Sequence, residues 1–507
     1  MLKPEDAKTL PELIRSTAAA FGDNVAIRLA GDEGAGGSVS FREIDARSSQ
    51  IARGLLAQGI GKGARVGFIF GNAPEFLVIF AAVARIGAVA IPISTMIRAN
   101  ELVRVLRQSD VSGLIVQREY LGHDYVQRLL DALPGLAQAA RGHIALPEVP
   151  YLRWIVSTGP DLPAPLDDIA GLAEAGASIG EDLLAAVEAE VHPTDQIVEI
   201  YTSGSMALPK GVRHNHGAVM FRCHYLRSML NIERGAQVTA QLPFFWVGGL
   251  MMYLLPSWEA GATVVCPQRT LNNSRVAMGS VLTDDDVKAL ARQPKPWWGL
   301  GMSETLGPYS YADDFRAPGY PLCAPMDHFA DGYEIRLADA EDRPVADGEV
   351  GEMQIRGYPV SPGLHKMERA AYFTADGYYR TGDLCLREGS RVHFVGRSGD
   401  MINAAGSNVS PAEVEMELQA LDGVQAAYVV GLPDKERGQL VAAAVVAEDV
   451  RDLDFQWLEG ELRKKLSPYK VPRGWVQITR DEVPLLHSNK VSRRQIEQLL
   501  AERLARG

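Results

Sequence analysis

The stretch YTSGSMALPKG at 201–211 sets small and hydroxylated residues around a glycine, with a lysine close behind. A loop of this kind can turn several donors on one anion: unshielded backbone N–H groups, the hydroxyls of Thr202, Ser203 and Ser205, and the Lys210 ammonium. That is phosphate-holding chemistry. The familiar nucleotide pattern of this type is G-x-x-x-x-G-K-[ST]. Gly204 and Lys210 fall at its spacing, but Pro209 stands at the second glycine and Gly211 at the metal-binding hydroxyl. A P-loop NTPase thus fails at two of four key positions, and by itself the stretch reads as a polar turn carrying a surface lysine. Three other residues could do chemistry. Glu304, in GLGMSE (299–304), is a hard oxygen donor of the kind Mg²⁺ takes beside phosphates. Asp383, in GYYRTGDL (377–384), could accept hydrogen bonds from hydroxyls. Lys490 lies in PLLHSNKVSR (484–493). Taken singly, a turn carboxylate, an aspartate in a Gly-Asp turn and a lysine near the C-terminus are ordinarily structural or solvated.

Elements must position these residues. TDQIVEIYTSGS (194–205) reads as a strand running into the loop, with the next helix expected near Asn215. Upstream, FREIDARSSQIARGLLAQGI (41–60) puts Ile44, Ile51 and Leu55 on one helical face. RVGFIF (65–70), AVAIPI (88–93) and GLIV (113–116) are strand candidates, separated by a helix from Pro74 and a helical ELVRVLRQSD (101–110). That βαβα order predicts a parallel sheet covered by helices. Residues 131–195, rich in Ala, Pro and Asp, are expected as loops with short helices. Residues 331–398 alternate short strand runs with Gly and Asp turns and predict a β-rich subdomain. Ser410-Pro411-Ala412-Glu413 is a helix start, with a Ser cap, Pro at the first helical position and Glu three residues after the cap. Strands at 426–432 and 441–448, a helix at 456–466 and a final helix follow, an α+β pattern of domain size.

At 507 residues the chain exceeds what one hydrophobic core usually holds, so two or more domains are expected. The expected fold class is α/β: a large N-terminal domain (1–397) of mixed sheets covered by helices with a β-rich subdomain, and a small α+β C-terminal domain (398–507). Lys+Arg 51 against Asp+Glu 63 gives −12, which argues against nucleic acid as the main partner, because a phosphate backbone needs a basic face. A local basic pocket for a small anion stays open. Cys223, Cys266, Cys323 and Cys385 form no CxxC pair and fit buried thiols in a reduced, cytoplasmic setting. The N-terminus MLKPEDAKTLPELI has no apolar signal region. FLVIFAAVARIGAVAIPI (76–93) is broken by Arg85 and Pro92, too short for a membrane span, and reads as a buried helix running into a buried strand.

YTSGSMALPKGV resembles the phosphate loop of the adenylate-forming (ANL) superfamily: acyl-CoA synthetases, luciferases and peptide-synthetase adenylation domains, the AMP-dependent synthetase and ligase family. Four further stretches match in the same order. GLGMSE is similar to the family's YGMTE, and GYYRTGDL to YRTGDL. VGRSGDMINAAGSNVSPAEVE (395–415) is similar to the segment opening the small C-terminal domain, and PLLHSNKVSR to the terminal P-x-x-x-x-GK-x-x-R motif. GKGARVGFIFGNAPEFLVIFAAVARIGAVAIPIS (61–94) looks like its first shared helix–strand block. Such enzymes join a carboxylic acid to ATP as an acyl-adenylate, releasing pyrophosphate; acyl-CoA synthetases then let coenzyme A displace AMP. The chemistry needs charge neutralised on phosphate and carboxylate oxygens rather than a protein nucleophile.

The resemblance implies a role for each matching residue. Thr202, Ser203, Gly204 and Ser205 would hold the β- and γ-phosphates with Lys210 in support. Glu304, with Thr202, would bind Mg²⁺, and Ser303 would meet the α-phosphate. Asp383 would accept from both ribose hydroxyls, with Arg397 assisting. Lys490 would stabilise negative charge during adenylation. Gly399 falls at the hinge about which the small domain turns between half-reactions, free to swing as glycine is, and Gly406 would line the thiol's path. LPFFWVGGL (242–250) is similar to the acyl-pocket segment P-x-F-H-x-x-G. Trp246 replaces its histidine and would line or gate the pocket, with Gly248 and Gly249 leaving space. Core packing is nearly as good an account of Phe244 and Phe245.

The chain also departs from the family. Met206 and Ala207 replace a Thr and a Gly of the loop, Asn489 replaces the Gly before the lysine, and Asn403 stands where many members carry Lys. Only residues 266–304 separate the acyl segment from the GLGMSE motif. No Gly-Gly-Ala adenine loop appears there, and Leu300 takes the place of the aromatic that stacks on adenine. The function implied is an ATP-dependent acid–thiol ligase acting on a fatty, aromatic or polycyclic acid, with coenzyme A as acceptor and fatty acid metabolism as one setting. An acyl-AMP ligase with another acceptor and an impaired nucleotide- or acyl-binding homologue stay open, as does a homodimer.

Overall fold

The computed structural model describes residues 2–31, 37–202, 210–267, 300–311, 328–404, 407–434, 438–447, 452–466, 470–485 and 491–505. The chain divides into two compact units. The first comprises Met1–Ser274, Gly301–Gly307 and Tyr358–Ala371, and the second Arg275–Leu300, Pro308–Gly357 and Tyr372–Gly507.

The first unit is built on a seven-stranded sheet. Its strands run in the order Lys210–Asn215, Gln196–Thr202, Val89–Pro92, Arg65–Ile69, Gly113–Val116, Trp154–Ser157 and Asp167–Asp168. All neighbours are parallel except the first two, which form an antiparallel hairpin. The expected parallel strands are therefore present, joined by the helices Pro74–Arg85 and Ala99–Gln108. In Pro74–Arg85 every residue but Glu75 is buried, as an all-round apolar sequence requires. Arg85 is inside because its charge is fully engaged. Its guanidinium donates to Glu188 Oε1 at 2.6 Å, Asp45 Oδ1 at 2.9 Å and Ser48 Oγ at 2.7 Å. The preceding helix, Phe41–Ala57, starts on a reciprocal cap: Ser40 Oγ accepts from Glu43 N, and the Glu43 carboxylate accepts from Ser40 N at 2.8 Å.

One part of the stretch expected as loops with short helices is a core strand. Trp154–Ser157 is a fully buried strand of the main sheet. Its tryptophan lies across Gly113, where any Cβ would come within 1.9 Å of the indole. A second sheet, in the order Gln237–Thr239, Thr263–Cys266, Val25–Leu29 and Ser38–Ser40, packs on the same core.

The second unit carries the predicted β-rich segment as a four-stranded antiparallel sheet, Tyr333–Ala338, Val350–Gly357, Tyr379–Glu388 and Arg391–Arg397. It also holds a five-stranded sheet in which Val424–Asp434 and Gly438–Ala447 are antiparallel and Gly474–Ile478 adds in parallel. The helix Pro411–Gln419 begins at the predicted cap, with Ser410 Oγ accepting from Glu413 N at 3.3 Å. Among the described residues, no helix is long and apolar enough to cross a membrane.

Candidate active site

Thr202 and Lys210 are register partners at the loop end of the Gln196–Thr202/Lys210–Asn215 hairpin. Ser203, Gly204 and Ser205 lie outside the described residues, as do Met206 and Ala207, but both ends of their loop are pinned one strand apart. The helix expected near Asn215 starts there, with Asn215 as its cap and His216 as its first residue. Between the loop and that helix the strand Lys210–Asn215 intervenes, burying Gly211, Val212 and His214. A phosphate loop of the G-x-x-x-x-G-K-[ST] kind delivers its lysine into a helix N-terminus, so the hairpin excludes that reading. Within the hairpin Glu199, paired across from Arg213, is fully buried. It accepts from Tyr201 Oη at 2.6 Å and from the Arg65 guanidinium. Burial, and then the Glu199 charge, push the Tyr201 phenol far up, which keeps it a donor. Gly211 has no room for a side chain, since a Cβ would come within 2.5 Å of Glu199 Oε1. Its carbonyl accepts from His365 N at 2.8 Å.

Ser303 and Glu304 form a single 3-10 turn, Ser303–Thr305, ended by Leu306 in the left-handed region at φ 52. Thr305 Oγ1 accepts from Met302 N at 3.2 Å and donates to Gly307 O at 2.8 Å, closing the turn on itself. Glu304 is 8% exposed. One near-buried carboxylate suits Mg²⁺, which keeps waters and takes its other ligands from a triphosphate, better than it suits an ion caged by protein alone. The turn is tied to the hairpin. Ser303 O accepts from His214 Nε2 at 2.7 Å, and Glu304 O accepts from Ser361 N at 2.7 Å. Ser361 Oγ in turn donates to Arg213 O at 2.9 Å. His214 is fully buried, and burial holds its imidazole down at about 4. Neither His214 nor Ser361 stands out in the sequence. The only trace of the first is the closely spaced pair His214 and His216 just after the loop.

In the acyl segment, Phe244 and Phe245 are core. Phe244 packs on Phe76 with ring centroids 5.4 Å apart, and Phe76 on Phe68 at 5.2 Å. Trp246 is only half-buried and stands edge-on to Phe245 at 5.5 Å. The missing side chains of Gly248 and Gly249 serve the turn itself. A Cβ on Gly249 would meet Pro243 O at 1.9 Å, and one on Gly248 would meet Leu242 Cδ1 at 2.7 Å. Asn72, 4% exposed, clasps the segment: its Nδ2 donates to Leu242 O at 2.9 Å and its Oδ1 accepts from Phe244 N at 2.8 Å. One turn of π-helix, Leu250–Leu254, follows, a distortion frequent at functional sites.

In the second unit Asp383 and Arg397 are cross-strand partners, and Arg397 Nε donates to Asp383 Oδ1 at 2.7 Å. The carboxylate side chain is 3% exposed and the arginine 53%. Tyr309 is buried near them, its phenol pushed well up by burial and then by Asp383. Gly399 sits in an exposed turn, with nothing within 4 Å of where a Cβ would stand, so the fold itself does not demand a glycine there. Gly406 and Lys490 lie outside the described residues. Arg493, which closes the terminal motif, is structural. It forks onto Glu415 at 2.9 and 3.1 Å and donates to Val429 O at 2.8 Å.

The model for AMP-binding enzymes matches residues 14–283, and the model for the AMP-binding enzyme C-terminal domain matches residues 413–490. Feruloyl-CoA synthase of an Amycolatopsis species is 27% identical over 91% of this chain and 94% of its own length. Indoleacetate–CoA ligase of Aromatoleum aromaticum is 25% identical over 92% and 94% respectively. The crystal structure of an anthranilate CoA ligase with anthranoyl-AMP superposes with a TM-score of 0.78 at 20% identity, covering 99% of this chain and 100% of that one. At that identity the superposition establishes the fold.

Proposed function

Because the chain belongs to the AMP-binding enzyme family, we propose that it is an ATP-dependent acid–CoA ligase. It condenses a carboxylate with ATP to an acyl-adenylate, releasing pyrophosphate, and then passes the acyl group to coenzyme A. The observation that carries the reading is the strand Lys210–Asn215. It begins at the phosphate-loop lysine and holds the Ser303–Glu304 turn through His214 and Ser361. One element thereby serves both the donors for the phosphates and the carboxylate for the metal.

Thr202, Ser203, Gly204, Ser205 and Lys210 take the β- and γ-phosphates, and Ser303 meets the α-phosphate. Asp383 accepts from the ribose hydroxyls while Arg397 fixes its orientation. Glu304, with Thr202, holds Mg²⁺, which when bound neutralises phosphate charge. Lys490 offsets the charge that develops when the acid attacks. Fixed donors aimed at developing charge are the main source of rate in such a site. The small domain, 398–507, turns about Gly399 between the half-reactions, and Gly406 lines the path of the thiol.

The acid is aromatic. Trp246 is the half-buried ring of the acyl segment, and the relatives named for feruloyl, indoleacetate and hydroxybenzoate substrates support the class. Buried thiols at Cys223, Cys266 and Cys385 fit work in the cytoplasm, and a homodimer is compatible with it.

The test is a panel of aromatic and fatty acids with ATP, Mg²⁺ and coenzyme A, scored for AMP and thioester. Both products with aromatic acids are expected. AMP without thioester would assign another acceptor, and neither product would assign a binding homologue.

A further inference from the structure

His214 is a buried histidine with a forced tautomer. Ser303 O is a carbonyl and can only accept, so the proton of this 2.7 Å bond sits on Nε2. Nδ1 is then a bare lone pair, and it finds no partner among the described residues. Leaving a buried acceptor unpaired is costly. An apolar side chain would avoid that cost, so the Nε2 bond is what the histidine supplies. A second tie acts on the next carbonyl. Ser361 donates its N–H to Glu304 O at 2.7 Å and its hydroxyl to Arg213 O and Gly363 O, both at 2.9 Å. Two consecutive carbonyls of the turn are therefore fixed to two consecutive residues of the strand. That strand starts at Lys210, the cross-strand partner of Thr202. Hydrogen bonds to rigid backbone hold a site within the fraction of an ångström that charge stabilisation needs.

We propose that His214 is a positioning residue: through Ser303 O it sets Glu304, and so the carboxylate that would meet the metal of a bound triphosphate, relative to Thr202 and Lys210. The inference rests on the ligase reading for the roles of Glu304 and the loop, but its test requires only binding. Affinities for ATP with and without Mg²⁺, and for AMP, are measured by calorimetry on the full chain and on His214→Leu, His214→Met and His214→Gln. Leu and Met remove the donor with two different shapes, so a packing defect peculiar to one does not decide the outcome. Gln carries an amide donor close to the position of Nε2. The expected result is about a tenfold loss of Mg²⁺-dependent ATP affinity in Leu and Met, the size of one backbone hydrogen bond's positioning. AMP affinity stays within twofold, and Gln restores MgATP binding to within about threefold of the parent. MgATP affinity at the parent level in both apolar variants, a parallel loss for AMP, or a Gln variant as weak as Leu would each overturn the inference. A parent protein that binds MgATP but forms no AMP with any acid would sink the ligase reading and leave this one standing.

Discussion

Asp383→Asn separates a ligand contact from a structural one. The side chain is 3% exposed, and its visible ion-pair partner, Arg397, is 53% exposed. An ion pair open to water on one side is worth about 1 kcal/mol or less. Asparagine keeps the volume, so the fold loses little, and the melting temperature is expected to fall by less than about 4 °C. The ligand loses more. A hydrogen bond to a charged acceptor is worth about 1.5–3 kcal/mol, and Asp383 would accept two from the ribose. The amide keeps one weaker acceptor and turns the other into a donor. A net loss of about 2–3 kcal/mol corresponds to about a 30- to 150-fold rise in Kd. Equilibrium titration of ATP and AMP should show this loss for both nucleotides alike, because they share the ribose. ATP affinity within threefold of the parent would remove Asp383 from the ribose site. Weakening for ATP but not AMP would move it to the phosphates, and a collapse in melting temperature would make it structural.

Lys490→Ala should abolish pyrophosphate release with acid and ATP yet spare thioester formation from supplied acyl-adenylate; equal loss of both steps would contradict its role. Trp246→Ala should change the ranking of aromatic against aliphatic acids in kcat/KM, and an identical profile would make the ring a packing element. Glu259, 4% exposed, has the Arg227 guanidinium at 3.7 Å, and burial pushes its carboxyl up to about 7. A raised folded-state value means stability that is whole below the unfolded value and is lost as pH rises through 7. Glu259→Gln should therefore gain up to about 3 kcal/mol over the parent at pH 8 and almost nothing at pH 4.5, as read by urea unfolding. A gain independent of pH would show that the carboxyl does not titrate in that range.

The sequence foretold much of the first unit where apolar runs were bounded by glycine. Gly113–Val116 and the buried helix Pro74–Arg85 are where the pattern places them. Trp154–Ser157 was not legible, because four residues inside an Ala- and Pro-rich stretch carry no period of their own. What makes them a strand is Gly113 across the sheet, which leaves room for the indole. The strand Lys210–Asn215 was hidden by its polar composition, as sheet edges often are. The site divides in the same way. Thr202, Glu304 and Asp383 are visible as residue types within motifs. His214, Ser361 and Asn72 act through contacts 89, 148 and 170 residues away along the chain, which no local pattern encodes.

The clasp formed by Asn72 bears on how this protein could be re-engineered. Residues 242–250 look like a self-contained cassette that could be exchanged with that of a relative to alter which acid is taken. Their shape, though, is held by an amide from a different stretch, which reads one carbonyl and one N–H of the backbone and no side chain at all. A grafted segment can keep its bend provided it retains the two glycines of the turn and position 72 remains asparagine. The exchangeable module is therefore discontinuous, nine residues and one distant amide.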